Sequence, residues 1–122
     1  QRRSNKDLNF YLFNTDRGKD NIKISSIVYI GSFKDDNTDS RDKCLILENG
    51  TEIKLKNYGF EEILKILPKS DFSQINKSEI ISHSSINRIL NDEIIPSGKL
   101  EEKFGHFTII RSYSKDFKSK LN

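Results

Sequence analysis

The sequence has a single cysteine and no long hydrophobic run. One thiol, Cys44, excludes a disulfide within the chain and is typical of a protein in a reducing cytosol, so we expect a cytoplasmic location. No apolar stretch approaches the roughly 20 residues that a membrane-spanning helix requires, which predicts no membrane contact by this segment. The polar residues 1–6 are unlike a signal peptide, and the first residue is not Met, so we expect a longer parent protein.

Motifs for catalysis and for cofactor binding are also missing. The sequence contains neither a glycine-rich phosphate loop nor a Cys/His spacing for metal, and His83 and His106 are far apart without a cysteine partner. Several aspartates fall within the single stretch 35–42, which is more typical of a solvated charge run than of a nuclease centre. We therefore expect no enzyme activity, no metal and no cofactor.

Excess charge of one sign is confined to the start of the chain. The formal net charge is +3, and Arg2, Arg3 and Lys6 account for all of it. The remaining residues are neutral in sum, so global charge does not by itself indicate a nucleic-acid partner. If a basic surface exists, the fold must gather it on one face. Residues 104–122 have a local excess of positive charge, because four basic residues there stand against a single acidic one, Asp116.

What is present is a short-strand pattern. Hydrophobic residues make up 34% of the chain and charged residues 32%, so the core must be small or split into thin layers. Asn49–Gly50 between two alternating stretches predicts a hairpin. One helix is predicted over Phe60–Leu67, ended by Pro68. A second is predicted over Ser112–Leu121. These elements indicate a β-rich antiparallel domain over residues 7–122, with residues 1–6 as a linker or tail.

The stretch Phe72–Ser82 breaks the alternation of a simple strand. Phe72 and Ile75 are an odd number of residues apart, so the apolar face changes between them. Four polar residues, 76–79, precede the next apolar pair. The pattern predicts a strand, a bulge or exposed bend, and a second strand. The polar cluster is either an ordinary turn or a functional surface.

Five segments in order resemble the LytTR DNA-binding domain of bacterial transcription regulators. Residues 24–32 are similar to the family's I-x-x-I-x-Y-I-x-S, and the hairpin at 45–53 and the helix at 59–67 follow at the family's spacing. Residues 72–82 are similar to F-x-R-I-H-R-S-Y-I-V-N, and residues 107–121 to the closing V-S-R-x-Y strand and helix. The resemblance covers residues 7–122. It departs from the family at Gln74, at Asn76–Lys77 in place of His-Arg, at Ser82, and in the long acidic loop Ser32–Asp42.

The resemblance implies about ten short antiparallel strands in stacked sheets, a β-β-β sandwich with one internal and one C-terminal helix. It implies contact with duplex DNA through loops and strand ends, without a recognition helix. Carried over by position, the DNA-binding residues form three patches: Arg41 and Lys43 after the long loop, Asn76, Lys77 and Ser78 at the bend, and Arg111, Ser112, Tyr113 and Lys115 where the last strand meets the helix.

The chemistry of these side chains fits such roles. Arg111 follows an apolar strand and can contact guanine O6 and N7 bidentately. Asn76 has an amide suited to adenine or a phosphate, and Lys77 suits a phosphate. The competing interpretations are a salt bridge to a nearby carboxylate for Arg111 and a solvated charge for Lys77.

The first hypothesis is a sequence-specific DNA-binding output domain of a bacterial response regulator. It implies a receiver or sensor module upstream, as in a two-component system, and a homodimer on paired promoter sites. The alternative is a protein-interaction or sensory β-domain without DNA binding, which the neutral body, the acidic loop and the missing His-Arg pair favour. An RNA-binding β-barrel ranks third, because Tyr11, Tyr29 and Phe33 are not arranged as stacking platforms.

Overall fold

The computed structural model of the protein describes residues 9–33 and 41–121. The predicted linker 1–6 and most of the predicted acidic loop, residues 34–40, lie outside the described residues. Within them the strands are β1 (Phe10–Thr15), β2 (Gly18–Lys23), β3 (Ile27–Ser32), β4 (Lys43–Leu47), β5 (Glu52–Leu55), β6 (Phe72–Asn76), β7 (Glu79–Ser82), β8 (Ile86–Leu90), β9 (Glu93–Pro96) and β10 (Phe107–Thr108). The helices are α1 (Phe60–Ile66), α2 (Gly98–Phe104) and α3 (Arg111–Leu121), and 3-10 turns occupy Ile24–Ser26 and His83–Ser85.

The strands form two sheets in which every pairing is antiparallel. The larger sheet has seven strands in the order β2-β1-β5-β4-β3-β7-β6, and the smaller has three in the order β10-β9-β8. β1 joins β5 at one ladder pair, Thr15 with Leu55, flanked by backbone hydrogen bonds from Asp16 to Lys54 and from Lys56 to Asn14. The mainly β, antiparallel fold class is confirmed.

Two hydrophobic cores lie on opposite faces of the central strands. Neighbouring residues in these strands belong to different cores: in β4 Leu45 joins the first core and Ile46 the second, and in β7 Ile80 and Ile81 divide in the same way. Successive strand residues point to opposite faces, so both faces of these strands are covered. The first core also receives the β1–β2 hairpin and α1. The second receives the three-stranded sheet, α2 and α3. The expected stacked layers are present.

The odd apolar step in β6 reflects the burial of both its faces. Phe72 and Ile75 are three residues apart and so point to opposite faces: Phe72 packs in the first core and Ile75 in the second, and both are buried. A bulge follows, where the register of β6 against β7 shifts between Gln74 and Asn76. The two strands and the bend predicted for Phe72–Ser82 are confirmed. Because an extra residue in one strand bends the chain, the bulge turns the end of β6 toward solvent.

The hairpin predicted around Asn49–Gly50 is confirmed, with β4 and β5 paired from Lys43–Leu55 to Ile46–Glu52. Gly50 has a φ of 91°, a left-handed conformation that glycine adopts without a steric penalty. The side chain of Asn49 closes the turn by accepting a hydrogen bond from the backbone N–H of Thr51 at 2.9 Å.

The sequence interpretation missed the third helix. The sequence pattern predicts two helices, at Phe60–Leu67 and Ser112–Leu121, yet Gly98–Phe104 is also helical. Leu100 is buried in the second core and Phe104 packs against it, which is one narrow apolar stripe on an otherwise solvated helix. Within residues 9–33 and 41–121, no helix has both the length and the apolar character needed to cross a membrane.

We predict that Gly31→Ala destabilises the fold by about 1–3 kcal/mol through overpacking. Residues two apart in a strand share a face, and the ring of Tyr29 lies over Gly31. A Cβ at Gly31 would stand 2.1 Å from the Tyr29 Oη. Urea denaturation measures the effect. Ser32→Ala, in the same strand, is the control and should change the free energy of unfolding by less than about 0.5 kcal/mol. Equal urea midpoints for Gly31→Ala and wild type would contradict this packing.

Candidate nucleic-acid interface

One end of the central strands brings together residues that are distant in sequence. In the sheet register Lys43, at the start of β4, pairs with Ser32 at the end of β3. On the other side of β3, Gly31 pairs with Glu79 at the start of β7, and Glu79 pairs with Asn76 at the end of β6. The backbone N–H of Ser32 also donates to the Ser78 carbonyl at 3.0 Å. The first two predicted patches therefore lie along the same end of the sheet.

A single backbone hydrogen bond joins the third patch to this end. The N–H of Ile110 donates to the carbonyl of Ile75 at 3.0 Å. The next residues in each chain segment are Arg111 and Asn76, so these two predicted DNA contacts leave the core side by side. α3 then lies along β6, and at its far end the Lys120 ammonium donates to the Phe72 carbonyl at 3.4 Å. We call Asn76, Lys77, Ser78, Arg111 and Ser112 the strand-end surface.

Arg41 lies on the same side of the molecule. It lines a cleft of about 750 Å³ together with α1, Gln74 and Tyr113. Gln74 belongs to β6 and Tyr113 to the first turn of α3, so the cleft adjoins the strand-end surface. Its mixed walls include the carboxylates of Glu61 and Glu62 beside the Arg41 guanidinium.

The Arg41 guanidinium is held within the molecule. It donates to the Asn57 side-chain oxygen at 2.8 Å and forms a hydrogen-bonded ion pair with Glu62. The Gly59 N–H also donates to Glu62 at 2.8 Å. The Gly59 N–H first, and then Arg41, lower the pKa of the Glu62 carboxyl from its ordinary value. Arg41 therefore offers DNA a cation whose charge is already compensated.

Next to Arg41, an ion pair that is buried only on the Asp42 side anchors the chain. Asp42 is 4% exposed, and its carboxylate accepts from the Lys56 ammonium at 2.6 Å and from the Asn57 N–H at 3.2 Å. The hydrogen bond from Lys56 is the main cause of a lowered Asp42 pKa. This pair fixes the end of the long loop against the segment that precedes α1.

Lys43, another predicted contact, lies in a buried position. Its side chain is only 3% exposed, and the ammonium lies 5.0 Å from the centre of the Phe60 ring, in a cation–π contact. A buried ammonium cannot touch a phosphate without leaving this position. We therefore assign Lys43 to packing of α1 on the sheet, and omit it from the surface that meets a ligand.

The Asn76 side chain is fixed by two hydrogen bonds. Its Oδ1 accepts from the backbone N–H of Ser78 at 2.8 Å, and its Nδ2 donates to Glu79 Oε1 at 2.8 Å. The other oxygen of Glu79, Oε2, accepts from the Tyr29 hydroxyl at 2.6 Å. Burial, and then the carboxylate of Glu79, raise the pKa of Tyr29 above its ordinary value, so its hydroxyl remains a donor.

Among the remaining predicted residues, Lys77, Arg111, Ser112 and Lys115 are exposed and Ser78 and Tyr113 are half-buried. Within the described part of the chain, Lys77, Arg111 and Lys115 have no carboxylate partner. The salt bridge considered for Arg111 is thus not formed there. Tyr113 packs against the second core, so it supports α3 and shows only part of its ring to solvent.

Sequence reasoning missed Glu79 and Tyr29. Glu79 stands where the quoted family motif has Tyr, and a carboxylate three residues after an Asn gave no signal of its own. Tyr29 was read only as a strand residue. Their connection depends on β3 pairing with β7, which brings residues 50 apart in sequence into contact.

The other polar candidates have structural partners. The half-buried His83 has its Nε2 2.7 Å from the Ser73 hydroxyl and its Nδ1 3.0 Å from the Ser70 carbonyl. Cys44 is half-buried in β4, and burial raises the pKa of its thiol to about 11. Over the residues that the structure describes, no group of His, Cys, Asp and Glu side chains is arranged to hold a metal ion.

The overall fold is shared with a solved protein. The fold superposes on the LytTr DNA-binding domain of a Bacillus cereus protein with a TM-score of 0.68. This chain has the LytTR fold. The match covers 93% of this chain and 97% of the other, at 17% sequence identity. No family model and no curated protein matches the sequence. At this identity the likeness shows the LytTR fold, while any function must be argued from the residues present.

We predict that Asp42→Asn lowers the free energy of unfolding at pH 7 by about 1 kcal/mol, because it removes one charge-assisted hydrogen bond that is half-exposed on the Lys56 side. The folded-state pKa of Asp42 is depressed, so its contribution is present above the ordinary value of 3.8 and is lost as pH falls through the folded pKa. The difference between variant and wild type should therefore vanish at low pH. Urea denaturation from pH 7 to pH 2 measures it.

Glu61→Gln is the control for this titration, because the Glu61 carboxylate is exposed and has no partner among the described residues. Glu61→Gln should change the free energy of unfolding only slightly between pH 7 and pH 2. A difference for Asp42→Asn that stays constant down to pH 2 would show that the ion pair does not stabilise the fold.

Proposed function

We propose that this protein binds duplex DNA through the strand-end surface, as the output domain of a bacterial transcription regulator. The observation that carries the proposal is the Ile110–Ile75 hydrogen bond, which puts Arg111 beside Asn76 and Lys77 on one exposed edge. The cations of this edge and of the following helix turn, Lys77, Arg111 and Lys115, are free of carboxylate partners among the described residues. A LytTR fold that is also found in a DNA-binding domain supports the same proposal.

The roles divide by chemistry. Arg111 can read guanine bidentately, and Lys77 and Lys115 can each neutralise a phosphate. The first turn of α3, with Ser112, adds backbone N–H groups of the kind that hold phosphates at helix N-termini. Arg41 lies at the margin of the surface, since its charge is shared with Glu62. Binding thus rests on few cations, and base contacts must supply much of the selectivity.

The proposal also covers the longer protein in which this domain would act. Residues 7–122 would form the DNA-binding unit, and residues 1–6 would link it to an upstream receiver or sensor module of a cytoplasmic two-component system. Two copies of the unit would occupy paired promoter sites as a homodimer, each copy with its own strand-end surface. No catalysis and no cofactor enter this function.

A protein-interaction domain is the second candidate, and one observation favours it. The outward face of the β1–β2 hairpin exposes Phe10 by 46% and Leu12 by 53%. The hairpin lies at the edge of the large sheet opposite to β6. A partner protein docked there would leave the strand-end surface uncovered, so the two functions are compatible.

The salt dependence of duplex binding tests the proposal. The two phosphate contacts assigned to Lys77 and Lys115 predict a slope of about −1.8 in log affinity against log salt, which is about 12-fold between 50 and 200 mM. Fluorescence anisotropy with a labelled promoter duplex measures the slope. Lys77→Ala should weaken binding to all duplexes and reduce the slope by about 1.

Arg111→Ala should instead weaken binding to a selected site by about 5- to 150-fold, with a smaller effect on random duplex, because a bidentate base contact discriminates by about 1–3 kcal/mol. Lys23→Ala is the control: its side chain is exposed on β2, at the other edge of the sheet, and should change neither quantity. Duplex binding that is absent or insensitive to salt would reject DNA binding and leave the protein-interaction function.

A further inference from the structure

We infer that the β1–β2 hairpin binds an extended acidic segment of a partner protein, which adds to the large sheet as a strand beside β2. The inference rests on the second candidate function, protein interaction, and gives it a partner of stated chemistry and a mode of binding. It does not depend on DNA binding, because the hairpin lies at the edge of the sheet opposite to β6.

The outward face of the hairpin combines apolar side chains with positive charge. Its six residues are all exposed, and in the register Phe10 pairs with Lys23, Leu12 with Asn21 and Asn14 with Lys19. Residues directly opposite in an antiparallel pair share one face, and none of these six is acidic. The acidic strand residue, Asp20, belongs to the other face, where its carboxylate accepts from the Thr15 hydroxyl at 2.8 Å and from Arg17 at 3.1 Å. The outward face thus presents two large apolar side chains and two cations.

The outer edge of β2 has backbone groups available for another strand. Among the strands that the structure describes, β2 pairs with β1 alone. The Ile24 N–H donates to the Asn9 carbonyl, which sets the alternation of hydrogen-bonded pairs along the hairpin. By this alternation Lys19, Asn21 and Lys23 turn their N–H groups away from β1. The Lys23 carbonyl accepts from the Ser26 hydroxyl at 2.7 Å, while the three N–H groups have no partner among the described residues.

An extended peptide fits such an edge by strand addition, in which main-chain hydrogen bonds give affinity and alternate side chains give specificity. The residues of the peptide opposite Lys19 and Lys23 would be acidic, because opposite charges in a cross-strand pair stabilise a sheet. The residue opposite Asn21 would be aromatic, because a long side chain is needed to reach over Asn21 to Leu12. The preferred segment therefore has the pattern acidic, any, aromatic, any, acidic.

Charge argues against a second copy of this chain at the same edge. In a two-fold antiparallel pairing centred on Asn21, Lys19 would lie opposite Lys23 of the second copy, and like charges directly opposite destabilise a sheet. A pairing centred on Asp20 would set two carboxylates opposite each other. Lysines on an edge strand are a common protection against such self-pairing. Residues 1–8 carry three basic side chains and one acidic, so they would add positive charge to a positive face.

The test is an NMR titration of the ¹⁵N-labelled full chain with the peptide S-E-V-F-V-E-S, acetylated and amidated at its ends. Its symmetric pattern fits a strand of either direction. We expect amide shifts concentrated at residues 18–23, and slower hydrogen exchange at Lys19, Asn21 and Lys23 when the peptide is bound. The matched peptide S-K-V-F-V-K-S should bind about 2- to 30-fold more weakly, because two cross-strand charge pairs are lost.

Two substitutions of Asn21 separate strand addition from other modes of docking. Asn21→Pro removes an N–H that faces the free edge and keeps the hydrogen bonds to β1, a position where an edge strand tolerates proline. It should abolish the shifts at residues 18–23, whereas Asn21→Ala should keep them. Thermal unfolding shows whether each variant is folded.

A charge reversal tests the acidic partner without proline. The double variant Lys19→Glu, Lys23→Glu should bind the lysine peptide more tightly than the glutamate peptide, the opposite of wild type. Lys99→Glu, exposed on α2, is the control and should leave the preference of wild type unchanged.

Each other outcome overturns the inference. Absence of shifts at residues 18–23 with millimolar peptide, or equal binding by folded Asn21→Pro and Asn21→Ala, rejects strand addition. Equal affinity for the two peptides rejects an acidic partner. Hairpin shifts with phosphatidylglycerol vesicles but not with peptide would assign the face to a membrane, and a dimer in sedimentation that Asn21→Pro converts to a monomer would assign it to a second copy. A duplex titration of Asn21→Pro tests DNA binding separately, since the strand-end surface is unchanged in this variant.

Discussion

The candidate interface depends on one hydrogen bond between β6 and a chain segment, just before α3, that is far from it in sequence. When the Ile110 N–H donates to the Ile75 carbonyl, the end of the chain is tied to the bulged edge of the large sheet at the point where the core stops. Ile75 and Ile109 are both buried in the second core, so this bond lies next to packed apolar side chains and cannot be traded for water without exposing them. Arg111 and Asn76 project beside each other as a result. A neutral body can present local positive charge in this way.

Burial of both faces of the central strands fixes the position of this strand end. The central strands are covered on both faces. Bulges interrupt the pairing near the start of β3 and at the end of β6. The Tyr29 ring reaches along its own strand to Glu79 only because Gly31 has no Cβ in its path. The Tyr29 ring, packed in the second core, thus holds the Glu79 carboxylate, and the carboxylate holds the Asn76 amide. Both oxygens of Glu79 accept hydrogen bonds within the protein.

Local patterns predicted a large part of this fold. The Asn49–Gly50 hairpin, the helix before Pro68 and the odd step from Phe72 to Ile75 each have a local physical cause, and the structure confirms them. Features that depend on tertiary contacts could not be predicted from local sequence patterns. The charged segment of α2 becomes a helix because Leu100 finds the second core, and Lys43 is buried because Phe60 lies above it. Three patches were predicted to converge, and the structure brings Asn76 and Arg111 together, but the Glu79–Tyr29 support could not be seen without the β3–β7 pairing.

The most direct test of the account is the map of backbone amides whose NMR signals shift when a duplex is added to the ¹⁵N-labelled protein. The account predicts shifts concentrated at residues 76–79 and 110–113, with smaller ones near Arg41 and none in the β1–β2 hairpin at the opposite edge of the sheet. Shifts confined to the hairpin, or shifts at residues 76–79 without any at 110–113, would contradict the claim that one hydrogen-bonded edge meets the DNA.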